Sequence, residues 1–281
     1  MDYFGETGAV VDVGGAQSIE RASTLLRAVG QRTEGGASLT ELVAVSGLKQ
    51  PTVRRLLLAL MRAGLVEQDP VTRGYFLGAE TYALGLLAAA RFSLHHLARD
   101  SLARLARQTE DTAFLTVRRG DYGTCLHREE GTYPIRSHVL HAGDRHPLGV
   151  GAGNIAMLAK LSVQEADAII AAHAPTWIAQ YPRLAAEIVA EVVEETRQRG
   201  FSVNRGLNFP GSWGIGVAIT DAQGAPIAAL SIATIAGRLE QERQIELAGL
   251  LHAEARTIEA AMAAQTANAA VRIKRVKGRT S

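Results

Sequence analysis

Apolar residues early in the chain recur three and four positions apart, the spacing that puts them on one side of an α-helix. Ile19, Ala22 and Leu26 form such a stripe after Ser18, whose hydroxyl can accept a backbone hydrogen bond at a helix start. This pattern predicts a first helix. Residues 1–15 are rich in glycine and show no such period, so we expect them to form a flexible arm.

A short second helix and a tight turn are predicted next. Ser38 and Glu41 have the spacing of a capping box, in which each side chain accepts a backbone N–H at a helix start. Gly47 can adopt the left-handed backbone of a turn at little steric cost. Pro51 then opens a third helix at a position where its missing N–H does no harm.

The third predicted helix has an apolar side and an arginine-bearing side. The apolar side consists of Val53, Leu56, Leu57 and Leu60, and the opposite side of Pro51, Arg55, Leu58 and Arg62. Helix, short helix, glycine turn and helix is the order of a helix-turn-helix, whose last helix enters the major groove of DNA. Residues 65–77 then predict strand, turn and strand, which is the wing of a winged helix-turn-helix, with Arg73 at its tip.

The remaining pattern predicts a second domain of alternating strands and helices, and therefore an α/β (α+β) fold class. Strands are predicted at Thr112–Arg118, Gly123–Glu129, Gly214–Thr220 and Pro226–Thr234; helices from Ser93 to about Gln108 and at Ile155–Leu161, Val163–His173, Leu184–Arg199 and Glu240–Ala264; and an ordered loop at His138–Gly153. The predicted boundaries are a flexible arm at 1–15, a winged helix-turn-helix at 16–78, a linker helix at 79–92, a mixed α/β domain at 93–264 and a basic tail at 265–281.

Composition agrees with a two-domain globular protein. The chain has 281 residues, 47% of them apolar and 21% charged, which is enough apolar material to bury two cores. No segment approaches the roughly 18 consecutive apolar residues of a membrane span, and the first residues lack the layout of a signal peptide. We therefore expect a cytoplasmic protein. The single cysteine, Cys125, excludes an internal disulfide.

Positive charge is concentrated in two segments of the chain. Residues 16–78 carry a net charge of +3 and residues 272–281 carry +5, whereas residues 1–15 and 79–271 carry −3 each. Basic patches attract polyanions such as DNA. Alternatively, these charged residues belong to an ordinary solvated surface and a solvated tail.

Several motifs resemble those of IclR-type transcriptional regulators. In the first half they are Ser18-Ile-Glu-Arg-Ala22, Leu39-Thr-Glu-Leu42, Ser46-Gly-Leu48, Pro51-Thr-Val-Arg-Arg-Leu-Leu57, Ala63-Gly-Leu-Val66 and Gly74-Tyr-Phe-Leu-Gly78; in the second they are Pro147-Leu148, Ala156-Met-Leu-Ala159, Arg197-Gln-Arg-Gly-Phe201 and Ala229-Leu-Ser-Ile232. The resemblance implies a GAF-like domain that senses a small molecule, homodimers that often pair into homotetramers, and pseudopalindromic DNA operators.

Two segments depart from the family pattern. Residues 149–155 replace a motif that commonly contains histidine, threonine and lysine, and residues 204–208 replace an acidic run. A carboxylate that commonly holds a polar group of the effector is therefore absent, and the wall of the expected binding pocket is changed.

Six residues are candidates for contact with DNA. Gln50, Thr52 and Arg55 can reach base edges in the major groove, and Arg54, Arg62 and Arg73 are expected to bind phosphate. The basic tail, Arg272–Arg279, is a further candidate for nonspecific DNA contact.

The expected effector is a small carboxylate from a catabolic pathway, aromatic or otherwise partly apolar. The glycine-rich loop that leads into a helix can bring backbone N–H groups and the helix dipole to an anion. The candidate effector-binding residues are Gly149, Val150, Gly151 and Ala152 on this loop, with Trp213, Gly214, Ile215, Ser231 and Ala233 on the opposite wall as the resemblance implies.

Three alternatives compete with this assignment. Histidines 127, 138, 141 and 146 could bind a metal or the effector, although their spacing is not that of a helical metal site, and no metal or other cofactor is expected. Cys125 and His127 could form a nucleophile and base if they shared one face of a strand, although no third orienting group is evident. The protein could also bind DNA without any effector.

Overall fold

The computed structural model describes residues 16–32, 35–89, 93–135, 140–181 and 183–277. The chain divides into two compact units, residues 1–92 and residues 93–281. The predicted arm at 1–15 lies outside the described residues.

The first unit contains four helices and a two-stranded sheet among its described residues. They are α1 (Gln17–Gly30), α2 (Leu39–Ser46), α3 (Gln50–Arg62), β1 (Val66–Gln68), β2 (Tyr75–Leu77) and α4 (Ala79–Ala89). The capping box is present: the Glu41 N–H donates to Ser38 Oγ at 3.2 Å, and the Ser38 N–H donates to Glu41 Oε2 at 2.9 Å. Gly47 ends α2 with φ of +64°. The three-helix order predicted for a helix-turn-helix is confirmed.

A small apolar core holds this unit together. Buried leucines and valines of α1, α2 and α3 pack with Tyr75 of β2 and Val66 of β1. Strands β1 and β2 are antiparallel, with Val66 opposite Leu77. One side of each of α1, α2 and α3 is therefore buried, as their residue spacing predicts, although Ile19 of the stripe predicted for α1 is 71% exposed.

The second unit is a six-stranded antiparallel sheet with helices on both faces. Its elements are α5 (Ser93–Thr109), β3 (Thr112–Arg119), β4 (Tyr122–Glu129), β5 (Arg145–Pro147), α6 (Ala152–Ala159), α7 (Val163–Gln180), α8 (Ala186–Arg199), β6 (Ser202–Arg205), β7 (Ser212–Thr220), β8 (Pro226–Ile235) and α9 (Gln241–Lys277). The strand order is β5-β4-β3-β8-β7-β6. One core lies between the sheet and α5 and α9, and another between the sheet and α6, α7 and α8.

Three predicted element bounds are wrong, and two short strands were not predicted. The loop expected at 138–153 contains strand β5 and the start of α6, and β6 was not predicted, because strands of three or four residues show too little alternation to stand out. Helix α7 continues past Pro175 to Gln180. Helix α9 does not end near Ala264 but runs to Lys277, so residues 265–277 are helical.

None of the helices in the described part of the chain is both long enough and apolar enough to cross a membrane.

Candidate DNA-binding surface and effector cavity

Helix α3 buries one side and presents the other to solvent. Val53, Leu57 and Leu60 are buried. Five of the six candidate DNA-binding residues are exposed: Gln50, Arg54, Arg55, Arg62 and Arg73. The sixth, Thr52, is partly exposed. Leu58 lies on the same outer side and is 49% exposed. This side of α3 can therefore contact another molecule.

The wing presents Arg73 through a tight turn. Asp69 Oδ1 accepts the N–H groups of Val71 and Thr72 at 2.9 and 2.6 Å, and these hydrogen bonds hold the pKa of the Asp69 carboxyl below its ordinary value. Arg73 adopts φ of +62°, and its carbonyl accepts the Gln68 side-chain amide at 2.9 Å. Because the turn is held at both ends, the guanidinium of Arg73 projects from a defined position.

An open groove runs between α3 and the wing. Arg54, Leu58 and Met61 line it from α3, and Thr72 and Arg73 from the wing. Among the described residues, the side chains of Arg54, Arg55, Arg62 and Arg73 make no ion pair. These guanidinium groups are available to neutralise phosphate, which gives protein–DNA complexes much of their affinity.

A cavity of about 70 Å³ lies in the second unit where α6 begins. Its lining comes from strands β3, β6, β7 and β8, from the start of α6 and from loops beside them: Phe114, Thr116, Leu140, Val150, Gly151, Ala152, Gly153, Asn154, Asn204, Asn208, Phe209, Ser212, Trp213, Gly214, Ser231, Ile232 and Ala233. The lining contains no Lys, Arg, His, Asp or Glu among the described residues. Any ligand in this cavity is therefore recognised by neutral groups.

Seven of the nine candidate effector-binding residues line the cavity: Val150, Gly151, Ala152, Trp213, Gly214, Ser231 and Ala233. Gly149 does not, because a Cβ on it would stand 2.8 Å from Trp177 Cζ2, inside the core beneath α7 and α8. Ile215 does not, because it is fully buried in the core beside α5 and α9. Successive residues of a strand point to opposite faces of the sheet, so Ile215 faces away from the side of β7 on which Gly214 meets α6. The prediction that Ile215 forms an apolar pocket wall is wrong.

Three large apolar residues of the lining were not predicted from the sequence. Phe114, Leu140 and Phe209 lie in the lining, and Phe209 is 45% exposed at its edge. Trp213 also packs against the core on the Ile215 side. No sequence signal pointed to Phe114 or Leu140, because the contact depends on how β3 and the segment before β5 fold together.

Two glycines of β7 allow α6 to lie close to the sheet, because they carry no side chains. A Cβ on Gly216 would stand 2.9 Å from the backbone carbonyl carbon of Ala152, and a Cβ on Gly214 would stand 3.3 Å from Ala152 Cβ. Gly153 on the helix faces Ser231 of β8, whose Oγ lies 3.4 Å from the position that a Cβ on Gly153 would occupy. The glycines of both elements therefore place the amino end of α6 in the cavity.

The start of α6 offers unpaired backbone donors. Gly151 precedes the helix with φ of +88° and provides no side-chain cap. Within the described residues, the N–H groups of Ala152, Gly153 and Asn154 donate to no acceptor. Such N–H groups and the positive end of the helix dipole favour an anion.

Asn154 adds a polar atom to the cavity lining. It is only 6% exposed, and its Nδ2 donates to the Val150 carbonyl at 2.8 Å. Its Oδ1 is buried and has no hydrogen-bond partner in the described structure. This oxygen faces Gly123 of β4, because a Cβ added to Gly123 would collide with it.

The candidate metal-binding histidines have separate partners. His127 contacts His95 at 3.2 Å and Glu129 at 3.0 Å, His141 lies near Asp144, and His146 Nδ1 contacts the Tyr181 hydroxyl at 2.8 Å. His138 lies outside the described residues. The structure therefore does not bring the three described histidines together, and none of them lines the cavity.

Cys125 and His127 do not form a nucleophile and base pair. Strand β4 has a bulge, since Leu115 pairs with His127 while the next residue, Thr116, pairs with Cys125. A bulge inserts one residue, so residues two apart no longer share a face. Cys125 packs with Phe114, and burial raises the pKa of its thiol to about 12.

Comparisons with known proteins agree with both halves of the fold. The IclR helix-turn-helix domain matches residues 18–70, and the C-terminal domain of bacterial IclR transcriptional regulators matches residues 87–260. The chain is 25% identical over 241 residues to the HTH-type transcriptional regulator XynR of Escherichia coli, covering 83% of this chain and 94% of XynR.

Solved structures show the same fold. The IclR transcriptional regulator of Alicyclobacillus acidocaldarius has a TM-score of 0.71 at 24% identity, covering 87% of this chain and 98% of that one. An IclR homologue of Microbacterium hydrocarbonoxydans, solved in complex with 4-hydroxybenzoate, has a TM-score of 0.70 at 18% identity and covers 88% of this chain and 99% of that one. The chain belongs to the IclR family of bacterial transcriptional regulators.

Proposed function

We propose that this transcriptional regulator binds a double-stranded DNA operator through α3 and the wing, and that a small carboxylate bound at the start of α6 controls operator affinity or promoter activity. The observation that carries the DNA half of the proposal is the exposed, arginine-bearing side of α3. The unpaired donors in a neutral cavity carry the effector half.

On the DNA, we assign two roles to the six candidate residues. Gln50, Thr52 and Arg55 contact base edges, because they lie on the amino-terminal half of a recognition helix. Arg54, Arg62 and Arg73 contact phosphate. Arg54 and Arg73 line one groove, which supports phosphate contacts along a single stretch of backbone.

In the cavity, the carboxylate accepts hydrogen bonds from the N–H groups that begin α6. The volume of about 70 Å³ suits a compact head group, and Phe209 at the exposed edge can contact a ring. The homologue solved with 4-hydroxybenzoate supports an aromatic acid as the first compound to test.

The DNA-binding form is a homodimer, which can pair further into a homotetramer. Helix α4 exposes Tyr82, Leu84, Leu86 and Leu87 within eleven residues. An exposed apolar surface of this kind is typical of a protein interface, and a second copy of α4 would cover it symmetrically. A dimer also matches a pseudopalindromic operator.

Two measurements on the purified full-length protein test the proposal. Thermal unfolding is followed with benzoate, 4-hydroxybenzoate and pyruvate, and each compound is analysed for turnover afterwards. Stabilisation without turnover supports an effector. The DNA fragment upstream of its own gene is then titrated by fluorescence anisotropy at low salt with and without the stabilising compound. Failure to bind that DNA any better than a scrambled fragment would contradict the operator assignment.

A further inference from the structure

Two asparagines at the cavity form a hydrogen-bonded pair. Asn204, the third residue of β6, is 6% exposed, and Asn208 lies in the loop between β6 and β7. Asn204 Nδ2 donates to Asn208 Oδ1 at 2.9 Å. Both residues line the cavity. They occupy the segment where the sequence departs from the acidic pattern that the family resemblance implies.

The backbone determines which way both amides point. The Leu207 N–H donates to Asn204 Oδ1 at 2.9 Å. Since a backbone N–H can only donate, Asn204 must place its oxygen there and its Nδ2 toward Asn208. Asn208 must then offer its oxygen to Asn204, so its own Nδ2 faces away from the pair.

Asn208 Nδ2, which donates to no acceptor among the described residues, faces the loop that begins α6. Asn208 Nδ2 stands 3.7 Å from the position that a Cβ on Gly151 would occupy. Gly151 immediately precedes the unpaired N–H groups of Ala152 and Gly153. A side-chain donor and backbone donors therefore lie at the same end of the cavity, and the described lining holds no cation.

We propose that Asn208 is a specificity-determining residue whose Nδ2 donates to the effector carboxylate together with the N–H groups of α6, and that Asn204 is the positioning residue that orients it. This inference rests on the proposed carboxylate effector. A carboxylate at position 208 would bring a negative charge to the same place and repel the anion, whereas the amide of Asn208 offers a donor without that charge.

The test exchanges one amide for a carboxylate. Binding of 4-hydroxybenzoate and of its neutral analogue 4-hydroxybenzamide is measured by calorimetry on the full-length protein and on Asn208→Asp. A hydrogen bond to a charged group, once lost, weakens binding roughly tenfold to a hundredfold. We expect at least a tenfold loss for the acid and equal or tighter binding of the amide, whose NH₂ group can donate to the introduced carboxylate.

Asn204→Asp tests the orientation without touching the donor itself. The introduced carboxylate keeps the acceptor for the Leu207 N–H but no longer donates to Asn208. The Asn208 amide then rotates to donate Nδ2 to this carboxylate and presents its oxygen to the ligand. We expect this variant also to lose affinity for 4-hydroxybenzoate about tenfold.

Gln223→Glu is the matched control, because it adds the same charge at an exposed position in the turn between β7 and β8. It should bind both compounds like the unmodified protein.

Equal loss of affinity for the acid and the amide in Asn208→Asp, or unchanged affinity for the acid, would overturn the role of Asn208 while leaving the carboxylate effector intact. If the unmodified protein binds none of the three acids, 4-hydroxybenzoate, benzoate and pyruvate, the proposal of a carboxylate effector is wrong and this inference is wrong with it.

Discussion

The proposed DNA-binding surface of α3 and the cavity at α6 differ in charge, in exposure and in how far apart their residues lie in sequence. The surface comes from thirteen consecutive residues of one helix and is exposed and cationic. The cavity is neutral, and residues from Phe114 to Ala233 contribute to it. The comparison shows that one helical period can determine a recognition surface, whereas an enclosed site depends on the register of strands that are distant in sequence.

The largest expected effect is on the free energy of unfolding, which should respond differently to substitutions on the buried and the exposed side of α3. Leu57 is 1% exposed and Leu58 is 49% exposed. Leu57→Ala should lower the free energy of unfolding by about 2–5 kcal/mol, because it removes buried methyl groups and leaves a cavity. Leu58→Ala should change it by no more than about 0.5 kcal/mol. Urea denaturation followed by circular dichroism measures both, and equal effects would show that the outer side of α3 is also packed.

A substitution on β7 should affect the cavity and leave the DNA-binding surface intact. Gly216→Ala forces α6 away from the sheet, and overpacking of this kind costs about 1–3 kcal/mol of stability. The stabilisation by 4-hydroxybenzoate should shrink with it, whereas operator binding without effector should not change.

Gly249→Ala is the control for that substitution, since a Cβ on exposed Gly249 in α9 would contact nothing within 4 Å. It should not destabilise the protein. An undiminished effector response in Gly216→Ala would mean that the close approach of α6 does not shape the site.

Arg55→Ala and Arg73→Ala separate base reading from phosphate binding. Loss of a base-edge contact at Arg55 should cost about 1–3 kcal/mol of specific binding and relax sequence preference. Arg73→Ala should weaken all DNA fragments alike and lower the slope of log affinity against log salt concentration by about one. Anisotropy titrations over a salt series measure both quantities, and identical behaviour of the two variants would contradict the assigned roles.

Acid should affect the second unit more than the first. All eight histidines of the chain lie at or beyond residue 95. Burial holds the pKa of His146, His173 and His252 below the ordinary value of 6.5. The unfolded chain then binds more protons, so the stability that these groups contribute is complete above pH 6.5 and is lost as the pH falls toward their folded pKa values.

We therefore expect the unfolding transition of the second unit to shift to lower temperature between about pH 7.5 and about pH 5.5. His146→Asn should reduce that shift, because Asn can still contact the Tyr181 hydroxyl but does not titrate. A shift of the same size in the variant would assign the pH dependence to other groups.

Sequence reasoning succeeded where structure is local. The capping residues Ser38 and Glu41, the turn at Gly47 and the period of α3 each depend on neighbours within one or two helical turns. It failed at Ile215, whose face is set by its pairing with Ile232 and Val203. Strand alternation would also have put Cys125 and His127 on one face, and the bulge in β4 that separates them is not visible in the residue types.

The sequence by itself determined that the chain has a winged helix-turn-helix with arginines on its outer side, because helix spacing and capping act over a few residues. Its motifs also identified the family. The tertiary structure alone decided which residues enclose the cavity and which way the amide of Asn208 points. Both depend on strand register and on hydrogen bonds such as that from the Leu207 N–H to Asn204, which form only when the chain is folded.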